Sequence, residues 1–184
     1  MQLFEARGFD GTSVPLIAEK AGVGIGTVYR YFPTKEALLN AVFLKWKRRF
    51  NRVLLAPLPE QIDPARAFQT YWDRAVTWVS QHPVATRFLY LHFHGLHLGE
   101  EAQAVESEYL TYVDAFLAWG VGQGVLKPLP RLTFVALFWG SLIGLTKYEN
   151  PDWDMVLDPP TFKATGDALW DALRISNVRE TDNG

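Results

Sequence analysis

His94, His97 and Glu101 recur at i, i+3 and i+7, a spacing that puts two imidazoles and a carboxylate on one helix face, as a divalent metal would need. Gly22, Gly24 and Gly26 alternate through AGVGIGTVYRYF (21–32), where a glycine-rich loop could cradle a nucleotide phosphate. Thr27, Tyr29, Arg30 and Tyr31 follow directly. Three hydroxyls there can donate to phosphate oxygens, and a guanidinium can reach phosphate or guanine. Each chemistry needs a different scaffold, so the surrounding elements decide between them.

The metal reading lacks support. Gly95 and Gly99 mark a helix ending, where histidines also favour the helix dipole, and no second ligand group has metal-like spacing. The chain has no cysteine, which removes thiolate sites and disulfides. No metal and no cofactor are expected, and no nucleophile motif accompanies the histidines to suggest an enzyme.

The nucleotide reading fails on register. A dinucleotide loop beginning at Gly22 needs its third glycine at 27, which is Thr27, and no Gly-Lys-Ser/Thr ends the stretch. The preceding PLIAEKA is patterned as a helix, not a strand. A helix-turn-helix accounts for the same residues. Gly22 makes the turn, Val23 plugs the interhelical angle and Gly24 is the N-cap. Val28 and Phe32 pack inward, which leaves Ile25, Gly26, Thr27, Tyr29, Arg30 and Tyr31 outward.

The flanking sequence supplies the rest of a small helical head. Thr12 or Ser13 can cap the second helix, with Pro15 in its first turn. Pro33 ends the third, and Thr34 caps a long fourth in which Leu39, Phe43, Trp46, Phe50 and Val53 recur at helical spacing. Residues 1–52 hold nine Lys/Arg and four Asp/Glu, a net +5, whereas the other 132 net −7. A basic head on an acidic body suits an anionic partner met at one end. The proline-rich APLPEQIDP (56–64) separates further helices striped by Phe68, Trp72, Ala75 and Val79 and by later apolar runs. No period-two alternation is present, so the fold class is all-α. The expected parts are an N-terminal helix-turn-helix DNA-binding head (1–46) and a C-terminal helical ligand-binding and dimerisation domain (47–184). LTFVALFWGSLIGLT, 15 residues, is too short to span a bilayer, so a soluble cytoplasmic protein with no membrane association is expected.

TSVPLIAEKAGVGIGTVYRYFPTKEALL closely resembles the DNA-binding signature of the tetracycline-repressor (TetR) family of bacterial transcriptional regulators. The matching features are Ile17-Ala18, Ala21-Gly22-Val23, Gly26-Thr27-Val28-Tyr29, Tyr31-Phe32 and Lys35-Glu36, within residues 3–45. The resemblance implies phosphate contacts at Thr12 and Lys35. It implies backbone contacts at Thr27, Tyr29 and Tyr31, and base reading by Ile25, Gly26 and Arg30. Two departures stand out. Gly24 replaces the usual Ser or Thr, a loss of a few tenths of a kcal/mol in capping. Met1 opens partway into the family's first helix, so the natural start is expected upstream.

In the body, Phe134, Phe138, Leu142 and Leu145 share a stripe, Gly140 and Gly144 permit close helix approach, and Phe162, Leu169 and Leu173 line the last helix. The resemblance implies that this pair packs against its symmetry mate as a four-helix bundle, forming a homodimer; intramolecular core is the alternative. Trp72, Phe88, His92, Tyr112, Phe116 and Trp139 could line an apolar effector cavity, although core packing explains each singly. Arg87 could pair with an effector carboxylate or lie at the surface.

The expected function is a one-component transcriptional regulator, a repressor whose dimer reads a palindromic operator in double-stranded DNA. A small, largely apolar or aromatic effector would release it, with the helix from residue 35 as the lever. The rival is a ligand-binding protein whose DNA head is vestigial.

Overall fold

A computed structural model of the chain describes residues 1–90, 95–148, 152, 155 and 157–176. Among these residues the regular elements are helical: α1 (Gln2–Arg7), α2 (Val14–Ala21), α3 (Ile25–Tyr31), α4 (Lys35–Leu54), α5 (Pro64–Gln81), α6 (Pro83–Tyr90), a 3₁₀ turn (Gly95–His97), α7 (Glu100–Gly122), α8 (Arg131–Tyr148) and α9 (Pro159–Leu173). One isolated antiparallel bridge joins Leu126 to Arg174. His82-Pro83 separates α5 from α6, as the break before proline requires.

The chain forms two compact units, one of Met1–Pro57 with Thr77–Thr111 and the other of Leu58–Val76 with Tyr112 onward. In the first, Phe4 (α1), Val14 and Ala18 (α2), Val28 (α3), Leu38, Leu39 and Phe43 (α4), Phe88 (α6) and Ala102 (α7) form one buried cluster. Leu39 and Phe88 are fully buried, and removing each such side chain from water contributes about 2 kcal/mol. α1 lies on α6, where the Arg87 guanidinium donates to the Glu5 carboxylate at 2.6 Å. Arg87 is therefore paired within the protein.

In the second unit the Trp72 indole N–H donates to the Phe162 carbonyl at 3.0 Å, tying α5 to α9. Phe68, Trp72, Phe138 and Trp170 pack around it, with centroids 5.1–6.4 Å apart. Gly166 on α9 makes that approach possible, because a Cβ there would lie 2.5 Å from the indole nitrogen. Asp158 caps α9 by accepting the Thr161 N–H, and Pro159 and Pro160 fill the first turn.

Candidate nucleic-acid interface

The geometry of residues 12–35 follows from their end signals. Ser13 caps α2 by accepting from the Leu16 N–H, so of the two candidate caps the second is used. Gly22 ends α2 in the left-handed region at φ 67°, a conformation glycine adopts without penalty, and its N–H returns to the Ala18 and Glu19 carbonyls. Gly24 starts α3 in extended backbone, its carbonyl accepting from the Thr27 and Val28 N–H groups. A Cβ on Gly24 would meet only the Thr27 hydroxyl at 3.9 Å, so a serine or threonine would fit there. Thr34 caps α4 through the Ala37 N–H at 3.1 Å. The Glu36 carboxyl beside it is held below its ordinary range by its own backbone N–H and then by the Thr34 hydroxyl.

α3 turns one narrow face inward. Val28 is buried and Phe32, just beyond the helix, is half-buried against the core. Gly26, Thr27 and Arg30 are exposed, as are Ile25 (44%), Tyr29 (47%) and Tyr31 (68%). The Arg30 guanidinium lies 6.0 Å from the Tyr31 ring centroid. A Cβ on Gly26 would project into open space, so nothing inside the protein demands glycine there. The bare backbone leaves room for another molecule. Val23 is 41% exposed and does not plug the turn; the buried Val14, Ala18 and Val28 fill that angle.

Thr12 differs from the expectation. It is 1% exposed, and its hydroxyl donates to the carbonyls of Gly8 at 2.7 Å and Leu3 at 3.0 Å. The side chain fastens the end of α1 and does not face solvent, so a phosphate contact through it is not open; Ser13 is the exposed hydroxyl beside it. Lys35 is half-buried, its ammonium donating to the Phe9 carbonyl at 2.9 Å and lying 4.0 Å from the Phe9 ring centroid. A phosphate would compete with that carbonyl for the charge.

The remaining expected residues are dispersed. His92 and His94 lie outside the described residues. His97 stacks on Phe9 with centroids 3.9 Å apart, and Glu101 pairs with Arg48. Among the described residues no three His, Asp or Glu side chains are grouped to hold a metal. Phe88 belongs to the core of the first unit, while Trp72 and Trp139 are buried in the second. Of the expected cavity set, Tyr112 and Phe116 line one pocket together.

The expected dimer stripe also needs correction. Phe134, Phe138, Leu142, Phe162, Leu169 and Leu173 are buried within the single chain, so they add little area to a subunit contact. Leu145 is half-buried. α8 is apolar all round, and its larger side chains take the inner face. Its outer face carries Leu132, Ala136, Leu137 and Gly140, with Gly144 half-buried beside them; Ala164 and Ala168 are exposed on α9.

A capped helix-turn-helix with an outward second helix, followed by a helical body, defines an HTH-type DNA-binding regulator. Residues 1–42 match the family "Bacterial regulatory proteins, tetR family", and residues 43–175 match "Tetracyclin repressor-like, C-terminal domain". The chain belongs to the TetR family of transcriptional regulators, a family of DNA-binding proteins and not of enzymes. It is 29% identical over 146 residues to the HTH-type transcriptional regulator RutR of Escherichia coli (strain K12), covering 77% of this chain and 67% of that one. YhgD of Bacillus subtilis (strain 168), an HTH-type transcriptional regulator, is 26% identical over 142 residues, covering 73% and 72%. The structure of a TetR family regulator from Shewanella sp. PV-4 superposes with a TM-score of 0.75 at 26% identity, covering 95% and 94%. AibR, solved with isovaleryl coenzyme A and operator DNA, shares the fold with a TM-score of 0.71 at 20% identity, covering 94% and 92%. Among the described residues no helix is long and apolar enough to cross a membrane.

Proposed function

We propose that this regulator is a cytoplasmic repressor that binds a palindromic operator as a homodimer and leaves it when a small, largely apolar or aromatic effector binds. Residues 1–46 read DNA and residues 47–184 carry effector binding and dimerisation. The observation that supports this most is the outward face of α3, where Ile25, Gly26 and Arg30 meet base edges while Thr27, Tyr29 and Tyr31 hold the backbone. Lys35 exchanges the Phe9 carbonyl for a phosphate oxygen. A two-fold dimer places two such helices in successive major grooves. The outer face of α8 (Leu132, Ala136, Leu137, Gly140, Gly144) beside Ala164 and Ala168 of α9 is the surface we assign to the partner subunit.

Release needs little energy. An effector that favours the released state about 100-fold supplies ~2.7 kcal/mol of coupling. Footprinting on DNA upstream of the protein's own gene, followed by genome-wide selection of bound fragments, tests the reading. A protected palindrome whose occupancy falls as salt rises is expected. Absence of any selected site would favour a ligand-binding protein with an idle head.

A further inference from the structure

The second unit carries a pocket of about 180 Å³ lined by Leu58, Tyr71 of α5 and Tyr112, Ala115, Phe116 and Trp119 of α7. Its walls are rings set edge to face. Tyr71 meets Tyr112 at 79° and Phe116 at 89°, and Phe116 meets Trp119 at 67°. The Tyr71 hydroxyl donates to the Tyr112 oxygen at 2.8 Å, which leaves the proton of Tyr112 for another acceptor. Burial, reinforced by that hydrogen bond, pushes the Tyr71 phenol far above its ordinary range, so Tyr71 stays neutral at any physiological pH. No ionised side chain is among the lining residues.

Size, shape and polarity together restrict the occupant. A cavity of roughly 150 Å³ holds one benzene, so this pocket takes one aromatic ring with a short substituent. Rings already packed edge to face accept a further ring in the same arrangement, with centroids about 5–6 Å apart. The Tyr112 hydroxyl calls for an acceptor on the ligand. No charged side chain lines the pocket, so a charged ligand gains no direct ion pair from its walls.

We propose that this pocket binds a neutral, single-ring aromatic molecule carrying one hydrogen-bond acceptor, an aryl ketone or aldehyde in size and polarity, and that such a compound is the effector. Its ring lies against Phe116 and Trp119 and its carbonyl accepts from Tyr112. Leu58, in the loop before α5, closes over the ring. The effector role rests on the reading of the chain as a ligand-released repressor; the binding chemistry does not.

Acetophenone is the probe, titrated calorimetrically into the full chain, with benzoate and cyclohexyl methyl ketone as controls. One-site binding with a Kd on the order of 10–100 µM is expected for nine non-hydrogen atoms. Tyr112→Phe should weaken it about fivefold, the size of one net hydrogen bond. Ala115→Phe fills the slot from an exposed helix position and should abolish binding while leaving the circular dichroism unchanged. Benzoate and the cyclohexyl ketone should bind at least tenfold more weakly. No saturable heat, undiminished binding in Ala115→Phe, or benzoate binding as well as acetophenone overturns the pocket assignment. The same preparation is assayed on operator DNA with and without acetophenone. Operator binding without acetophenone binding sinks the pocket and leaves the repressor reading standing. Acetophenone binding by a chain that selects no operator supports the pocket and sinks the repressor reading. Acetophenone bound with operator affinity unchanged overturns the effector role alone.

Discussion

The Lys47 ammonium lies 2.8 Å from the Glu106 carboxylate with 1% of the lysine side chain exposed, against 35% of the glutamate. The rings of Phe50, Tyr109 and Tyr90 surround the same ammonium at 4.6, 4.7 and 5.3 Å. Burial pulls the lysine below its ordinary pKa and Glu106 opposes that pull. The two halves of the pair are therefore unequal. Glu106→Ala strands a buried cation and should cost about 3–5 kcal/mol, whereas Lys47→Met leaves a carboxylate that reaches water and should cost within ~1 kcal/mol. Chemical denaturation of both variants checks the asymmetry; equal losses would refute it.

Asn40 holds both polar groups of one turn. Its amide donates to the His97 carbonyl at 2.7 Å and its oxygen accepts the Gly99 N–H at 2.8 Å. Asn40→Ala removes both and should destabilise by about 1–3 kcal/mol. Faster hydrogen exchange at the Gly99 amide is the local signature, and Asn40→Asp should restore protection at that amide alone.

The His82 imidazole sits 4.6 Å from the Trp78 ring and 5.6 Å from Trp46, and burial, then Arg49, lowers its pKa from 6.5. The folded chain therefore binds fewer protons here than the unfolded chain. This contribution is present above pH 6.5 and is lost as pH falls from there through the folded pKa. The thermal midpoint should fall from pH 7 to 5.5, and by less in His82→Phe, which keeps the aromatic contacts.

The head was largely legible in the sequence because its end signals are local. Gly22, Pro33 and Thr34 each act within one turn, and Val28 with Phe32 four residues on marks the inner face at the end of α3. The phosphate contact that the resemblance implies at Thr12 does not hold, because only the fold shows the Leu3 and Gly8 carbonyls meeting its hydroxyl. Lys47 and Asn51 carry no local sign of burial, because their partners lie 54 or more residues away: Asn51 donates to the Val105 carbonyl and Glu108, and Lys47 meets Glu106. On α8 periodicity gives the Phe134, Phe138 and Leu142 stripe but not what covers it, since both faces are apolar; packing within the chain takes it for the core. The pocket was half visible: Tyr112 and Phe116 were among the expected residues, while Leu58, Tyr71, Ala115 and Trp119 come together only in three dimensions.

Two helical glycines should respond oppositely to alanine. Gly166→Ala drives a methyl into the buried Trp72 indole and should cost about 1–3 kcal/mol. Gly26→Ala meets nothing within 4 Å and should stabilise α3 by up to about 1 kcal/mol. The same methyl stands on the face assigned to DNA, so operator affinity should drop although stability rises. Paired melting and gel-shift measurements separate the two effects.

Operator affinity across a salt series for the full chain, Arg30→Ala and Tyr29→Phe tests the central assignment most directly. Arg30→Ala should lose about 1–3 kcal/mol and relax the preference at one base pair of each half-site. Tyr29→Phe should weaken binding evenly across sequences, with the preference intact. If both variants bind the operator with unchanged affinity and selectivity, α3 is not the element that reads DNA.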